Sequence, residues 1–414
     1  MERWWNGDCD GLGMAPSLRA RDGIILGVLG LLCLGVVMVW SAGLSVGDGP
    51  GVTVTTILTS RSAVYLALAV AALFGASRVP MHRMAGLLPR SNRAAAVYTA
   101  ALLLVVISVY VPGLGHAVNG SHRWIRLPLI GLTFQPSEIA KWGAVVLIAW
   151  FGWRHGENLP RFRRGLLVGL AFVAPIAALV ALEDLGTGVL IALVASVLLL
   201  AAGARVWHFA ALAPIGLLAV FAAIVTSPYR VRRLTAFVDP YADPQGAGYH
   251  MIQSLVAIAN GKVAGRGLGF GLQKFGYLPE DRTDFLFAVI CEELGVWGAF
   301  IVSALILTVV WCGISIVRRQ RDVFLQLLGL GVVLTFGIQA MMNLAVVTGL
   351  APTKGIALPL LSSGGTGWIL TAGSLGLLVA MDRVSEAQLA ARPDADDQQP
   401  MHDHQRTGSR AQAA

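Results

Sequence analysis

Residues 282–287 read Arg-Thr-Asp-Phe-Leu-Phe and open a run, 282–300, that continues AVICEELGVWGAF. The spacing sets Asp284 where a polar loop meets an apolar helix, with Glu292 and Glu293 two turns further in. A carboxylate at the rim of a bilayer still reaches water but faces a drier site than bulk, which is where a general base for chemistry on a lipid-linked substrate has to sit. The same spacing suits a plain helix N-cap, and the two roles can coexist.

Other ionisable groups fall in or beside apolar runs, where they are costly and so are candidates for function. Glu138 and Lys141, three apart in QPSEIAKWGAVVLIAW, share one helix face. They read either as a self-neutralising ion pair or as the lining of a cavity where Lys141 meets a phosphate. Asp184, in LEDLGTGVLIAL, is a turn residue or cap, or reaches the same cavity. Arg123 and Arg126 flank Trp124 in SHRWIRL. Such pairs anchor proteins at membrane interfaces, and guanidinium groups also grip pyrophosphate. The glycines at 265, 267, 269 and 271 make either a flexible turn or a loop that brings backbone N–H groups to a phosphate. No Walker pattern accompanies them.

The elements that must carry these groups are membrane helices. Of 414 residues, 56% are hydrophobic and 13% charged, against about 25% charged in soluble domains. Ten runs approach the roughly 20 residues needed to span a bilayer: 22–44, 62–80, 94–112, 136–153, 165–182, 185–203, 206–226, 285–316, 323–348 and 367–382. The expected fold is an all-α integral membrane protein, a bundle of about ten transmembrane helices with one large external loop, 227–284. The first span is too long for a signal-peptide core and reads as an uncleaved anchor. Arginines mark alternate connections: 19 and 21; 78, 83, 90 and 93; 154, 161, 163 and 164; 205; 318, 319 and 321. The positive-inside rule then places those loops and both termini in the cytoplasm of a plasma (inner) membrane protein. The net charge of +8 is thus a topology signal and does not point to nucleic acid.

Domain boundaries follow: a cytoplasmic segment 1–21, a membrane domain 22–382, and a polar, disordered tail 383–414. Residues 246–260 place Tyr249, Ile252, Val256 and Ala259 on one stripe, an amphipathic helix against the bundle or the lipid surface. Cys9, Cys33, Cys291 and Cys312 lack metal-ligand spacing and read as packing residues. No internal repeat supports an inverted-repeat transporter.

Several stretches in order (HRWIRLPLIGLTFQPSEIAK, EDLGTG, RVRRLTAFVDPYADPQGAGYHMIQSLVAI, GFGLQKFGYLPEDRTDFLFAVICEELG and GLAPTKGIALPLLSSGGTG) resemble the SEDS family of membrane glycosyltransferases, the FtsW/RodA group. MVWSAG and PTKG are similar to the division-type branch, GYH to some elongation members. The resemblance implies polymerisation of lipid II at the outer membrane face, with the motif acid, Asp284, as catalytic residue. It also implies substrate-binding residues in the matching stretches: Arg123, Trp124, Arg126, Glu138, Lys141, Asp184, Gln253, Ser254, Lys274, Glu293, Lys354 and Ser362. Arg123, Arg126, Lys141 and Lys274 are the cations expected to meet the pyrophosphate; a divalent cation (Mg or Mn) could share that task, though no motif in the sequence calls for one. The implied partners are a class B penicillin-binding protein with a transpeptidase domain, other division or elongation membrane proteins, and membrane lipid. The chain departs from the family pattern in three places: Arg282 stands for its histidine, Leu182-Glu183 for Gln-Pro, and Ser363 for tyrosine. A lipid flippase or transporter and a non-catalytic scaffold are the rival classes.

Overall fold

The computed structural model describes residues 19–43, 60–81, 88, 91–112, 115–118, 121–126, 133–275, 277–363 and 365–390. Most of the 1–21 segment, residues 44–59, Arg83, Arg90 and the tail beyond Ala390 lie outside the described residues.

Helices occupy all ten apolar runs. They are α1 (Ala20–Ala42), α2 (Arg61–Ala76), α3 (Asn92–Ile107), α4 (Pro136–His155), α5 (Leu167–Glu183), α6 (Leu185–Ala201), α7 (Val206–Val225), α10 (Leu286–Arg319), α11 (Val323–Val347) and α12 (Thr366–Ala390). Between α7 and α10 the external segment adds α8 (Pro228–Val238) and α9 (Tyr249–Gly261). Seven of the described helices are long and apolar enough to cross a membrane. Of the other three, α2 and α6 are apolar but short, and α4 carries Glu138, Lys141 and Arg154. Local signals start several of them. Ser60 and Ser91 accept from the amides of Ala63 and Ala94, Asp322 caps α11, and proline opens α4 and α8. The α12 helix continues past residue 382 to Ala390.

Three short strands, β1 (Gly115–Val118), β2 (Ser121–Arg126) and β3 (Thr133–Phe134), form an antiparallel sheet in the order β1-β2-β3. Trp124 lies opposite His116, and Ile125 opposite both Gly115 and Phe134. Nothing in the sequence marks this sheet. Its strands are too short for periodicity to announce them.

Two expectations are corrected. The helix at 249–261 forms, but Met251, Ser254 and Ala257 face the bundle, while Val256 and Ala259 of the expected stripe are exposed. The helix packs on α10 through the Met251, Ser254 and Ala257 face, and Leu255 and Val256 point outward. The second correction concerns the eighth span. At 34 residues, α10 is about 51 Å long, against a hydrocarbon core of about 30 Å. It is broken at Gly295, whose φ of 64° and ψ of −152° are non-helical. The stretch from Val296 to Arg319, about 36 Å, suffices to span. Glu292 and Glu293, two turns into the apolar run, therefore lie on the Asp284 side of the break.

A side chain at Gly295 would require a positive φ and would press on the backbone of Val263 and Gly265. Gly295→Ala is expected to lower stability by about 1–3 kcal/mol, read as a fall in thermal midpoint in detergent.

Candidate active site

Residues from five other parts of the chain converge beside Asp284. The turn between α5 and α6 is a single residue, Asp184. Its carboxylate accepts from Thr187 N at 3.1 Å and from Thr187 Oγ1 at 2.8 Å, fixing the start of α6. From β2, Arg123 donates through Nη2 to the carbonyl of Glu183, and its Nη1 stands 3.9 Å from Asp184 Oδ2. Arg233 of α8 stacks on Tyr229 at 4.4 Å and donates to the carbonyl of Thr353 at 3.2 Å. Asn343 of α11 binds two carbonyls with one amide nitrogen, that of Asp284 at 2.8 Å and that of Ile356 at 2.7 Å. One turn earlier Gln339 donates to Ala357 O at 3.0 Å. The loop 349–363 is thereby strapped across the site.

Gly355 marks the centre. A Cβ built there would lie 3.2 Å from Asp284 Oδ2 and 3.4 Å from Arg123 Nη1, so the acid and the guanidinium reach the same point of backbone. The absent side chain leaves room beside both. Phe285 is the N-cap of α10 and no side chain caps that end, so Asp284 is not the cap its spacing allowed. Among the described residues no donor is hydrogen-bonded to its carboxylate. Burial pushes the Asp284 carboxyl up to about 7; Glu280 and Asp184 add to the rise, while Arg233 and Arg123 oppose it. Burial also lowers the Lys354 ammonium, partly offset by Asp184.

Other candidates lie apart from this point. Lys141 Nζ is 2.9 and 2.8 Å from the two Glu138 oxygens and donates to Gln339 Oε1 at 2.8 Å, buried between α4 and α11. That corrects the phosphate role: the ammonium is saturated by protein. Its pair reaches the site only through Gln339 and the strap. Lys274 corrects likewise, because it pairs with Glu293 at 2.9 Å and both side chains are 0% exposed. Glu293 also accepts from Gly269 N, Gly271 N and Ser41 Oγ, and Glu292 from Leu272 N and Gln273 N. Glu293 is an acceptor already bound within the protein, and the amides of Gly265, Gly267, Gly269 and Gly271 all donate to protein oxygens. Ser254 donates to Val347 O, and Ser362 Oγ accepts from Leu358 N; both are buried tethers. Gln253 is half-buried on α9 and Trp124 half-buried on β2, neither of them hydrogen-bonded through its side chain to a described residue. Arg126 ends β2 opposite Thr133, and its side chain lies outside the described residues.

Sequence reasoning missed Arg233, Asn343 and Gln339. Arg230, Arg232 and Arg233 put three cations in a connection that the charge bias assigns to the outside. That violation was the available signal. Asn343 and Gln339 sit four apart in an apolar run, the spacing of two polar groups on one helix face.

The arrangement defines a many-span helical membrane protein with a raised-pKa acid among cations at one end of its bundle. The FtsW/RodA/SpoVE family, described as "Cell cycle protein", matches residues 22–387, and the chain belongs to it. A probable peptidoglycan glycosyltransferase FtsW of Alkalilimnicola ehrlichii is 40% identical, covering 94% of this chain and 95% of that one. The stage V sporulation protein E of Bacillus subtilis is 38% identical over 68% of this chain and 76% of its own. A solved structure titled for coordination of polymerization and crosslinking by a peptidoglycan synthase complex is similar with a TM-score of 0.67. It is 25% identical, over 88% of this chain and 97% of that one. The rod-shape-determining protein RodA of Thermus thermophilus shares the fold at a TM-score of 0.59, with 24% identity over 87% and 96%.

Proposed function

We propose that Asp284 is the general base of a peptidoglycan glycosyltransferase that polymerises lipid II for the septal wall, at the outer face of the inner membrane. The observation that carries this is a carboxylate raised to about 7, with no hydrogen-bonded donor among the described residues, beside Arg123 and Arg233. A base works best when its pKa lies near the working pH. The hydroxyl of an acceptor lipid II gives its proton to Asp284, and the oxygen bonds to the anomeric carbon of the donor. The carbon–oxygen bond to the lipid pyrophosphate breaks with inversion, and negative charge grows on the leaving group. In this reading Arg123, Arg233 and Lys354 receive that charge, as cations near Asp184 and the strap. They replace Lys141 and Lys274 in that role.

The described residues hold no cluster of three His, Cys, Asp or Glu side chains fit for a metal, and Asp184 is engaged by Thr187 and Arg123. A magnesium or manganese ion would accordingly come with the pyrophosphate as part of the substrate, and no step is routed through it. The transpeptidase partner, a class B penicillin-binding protein, and other division membrane proteins are part of the same reading. It is supported by the synthase complex that the fold resembles. Both termini in the cytoplasm, from the arginine bias, complete it.

Two assays on one reconstituted preparation test the class: polymer from lipid II, and lipid II crossing the bilayer. Polymer without translocation is expected, and translocation without polymer would favour the transporter. The pH profile tests the site. The deprotonated acid is the active form, so kcat/KM should rise with pH through about 7. Glu280→Gln removes a negative neighbour and should move that limb to lower pH, and Arg233→Ala should move it to higher pH.

A further inference from the structure

We propose that the glycine-rich loop joining α9 to α10, residues 262–272, is seated in the lipid leaflet on the active-site side of the membrane. Val263, Leu268 and Phe270 enter the boundary of headgroups and acyl chains, with Lys262 and Arg266 at the headgroup phosphates. The inference rests on the membrane fold alone and does not depend on the proposed chemistry.

Depth comes from the antiparallel packing of α1 on α10. Gly23 meets Cys312, Gly27 meets Val309 and Gly30 meets Leu305. The same register brings Ser41, at the end of α1, to Glu293, which accepts its hydroxyl at 2.6 Å. The break at Gly295 is therefore level with the end of a neighbouring span. Trp297, 63% exposed, stands just below it, where aromatic residues mark membrane–water interfaces. The loop is bound to this level: Val296 N donates to Lys262 O, Arg266 N to Glu292 O and Gly267 N to Glu293 O.

Its backbone is suited to an apolar medium. Irregular backbone is costly in lipid unless its polar groups are satisfied internally. Here the amides of residues 265, 266, 267 and 269–273 all donate to protein oxygens, four of them to the buried Glu292 and Glu293 carboxylates. The side chains face the other way. Val263 is 65% exposed, Leu268 52% and Phe270 72%, continuing the lipid-facing stripe of Val296, Trp297 and Phe300. Lys262 and Arg266 are exposed beside them, where cations meet anionic headgroups. Amides bonded to protein and three large exposed apolar groups on one short loop suit the leaflet better than water.

The test uses the full chain with Cys9, Cys33, Cys291 and Cys312 replaced by alanine, in nanodiscs of phosphatidylethanolamine and phosphatidylglycerol. Nitroxide labels are placed through Phe270→Cys and, separately, Leu268→Cys. Leu307→Cys on the apolar face of α10 and Asp243→Cys in the exposed external segment serve as references. Collision rates with oxygen and with a water-soluble nickel chelate are compared. Labels at 270 and 268 that favour oxygen, as at 307, support the proposal. Labels that favour nickel to the same degree as at 243 overturn it. Both positions are exposed, and retained monodispersity of each variant excludes misfolding as the cause.

Discussion

Asp284→Asn should reduce polymer formation from lipid II by about 10²–10⁴-fold while leaving the fold intact. Asparagine keeps the size and the backbone carbonyl that Asn343 binds, and removes only the ability to take a proton. Stability should move the other way. The folded carboxyl titrates at about 7 and an unfolded one near the ordinary value of 3.8. Between those values the folded state binds more protons, so the native protein loses stability as pH rises from about 4 to about 7. The loss is complete above that window. The asparagine variant has no such loss, so at pH 8 its thermal midpoint should equal or exceed that of the native chain. Below pH 4 the two should converge. Activity lost with stability kept or raised is the signature of a base. An unfolded variant would make Asp284 structural, and polymer at near the native rate would remove it from the mechanism.

The helices were legible because a membrane imposes length and hydrophobicity on each segment separately, and no partner segment need be known to read them. The break in α10 was not legible. LFAVICEELGVWGAF is a continuous apolar pattern to any window, and only the backbone of Val263 and Gly265 against Gly295 shows why it bends there. Asp284 could be found because it is the last charge before an apolar run begins. Its neighbours were harder, since Arg123, Arg233, Asp184 and Gly355 come from segments far apart in the chain. The mistaken assignments share one cause. Lys141, Lys274 and Glu293 are costly charges in apolar surroundings, and the sequence does not say whether each cost is met by a protein partner or left for a ligand. In this fold the partners are Glu138 with Gln339, and Glu293 with Lys274.

That distinction makes the second large effect testable. Glu293 sits at the centre of a latch: one carboxylate holds the Lys274 ammonium, Ser41 of α1 and the amides of Gly269 and Gly271. Glu293→Ala leaves a cation buried without its partner and two loop amides without acceptors. Breaking one side of a buried pair costs about 3–5 kcal/mol, a large part of the margin by which a domain stays folded. The variant should therefore aggregate on extraction or melt well below the native chain. Adding Lys274→Met to Glu293→Gln removes the stranded charge while glutamine still offers an acceptor, so the double variant should recover much of the lost midpoint. Had Glu293 served the substrate, the single Glu293→Gln change would keep the melting temperature and raise KM. A latch predicts the reverse: a fall in midpoint for Glu293→Gln alone, partial rescue by the second change, and little movement of KM in the rescued protein. The comparison also separates the two buried acids, because among the described residues the Glu292 carboxylate accepts from the amides of Leu272 and Gln273 and strands no cation when removed.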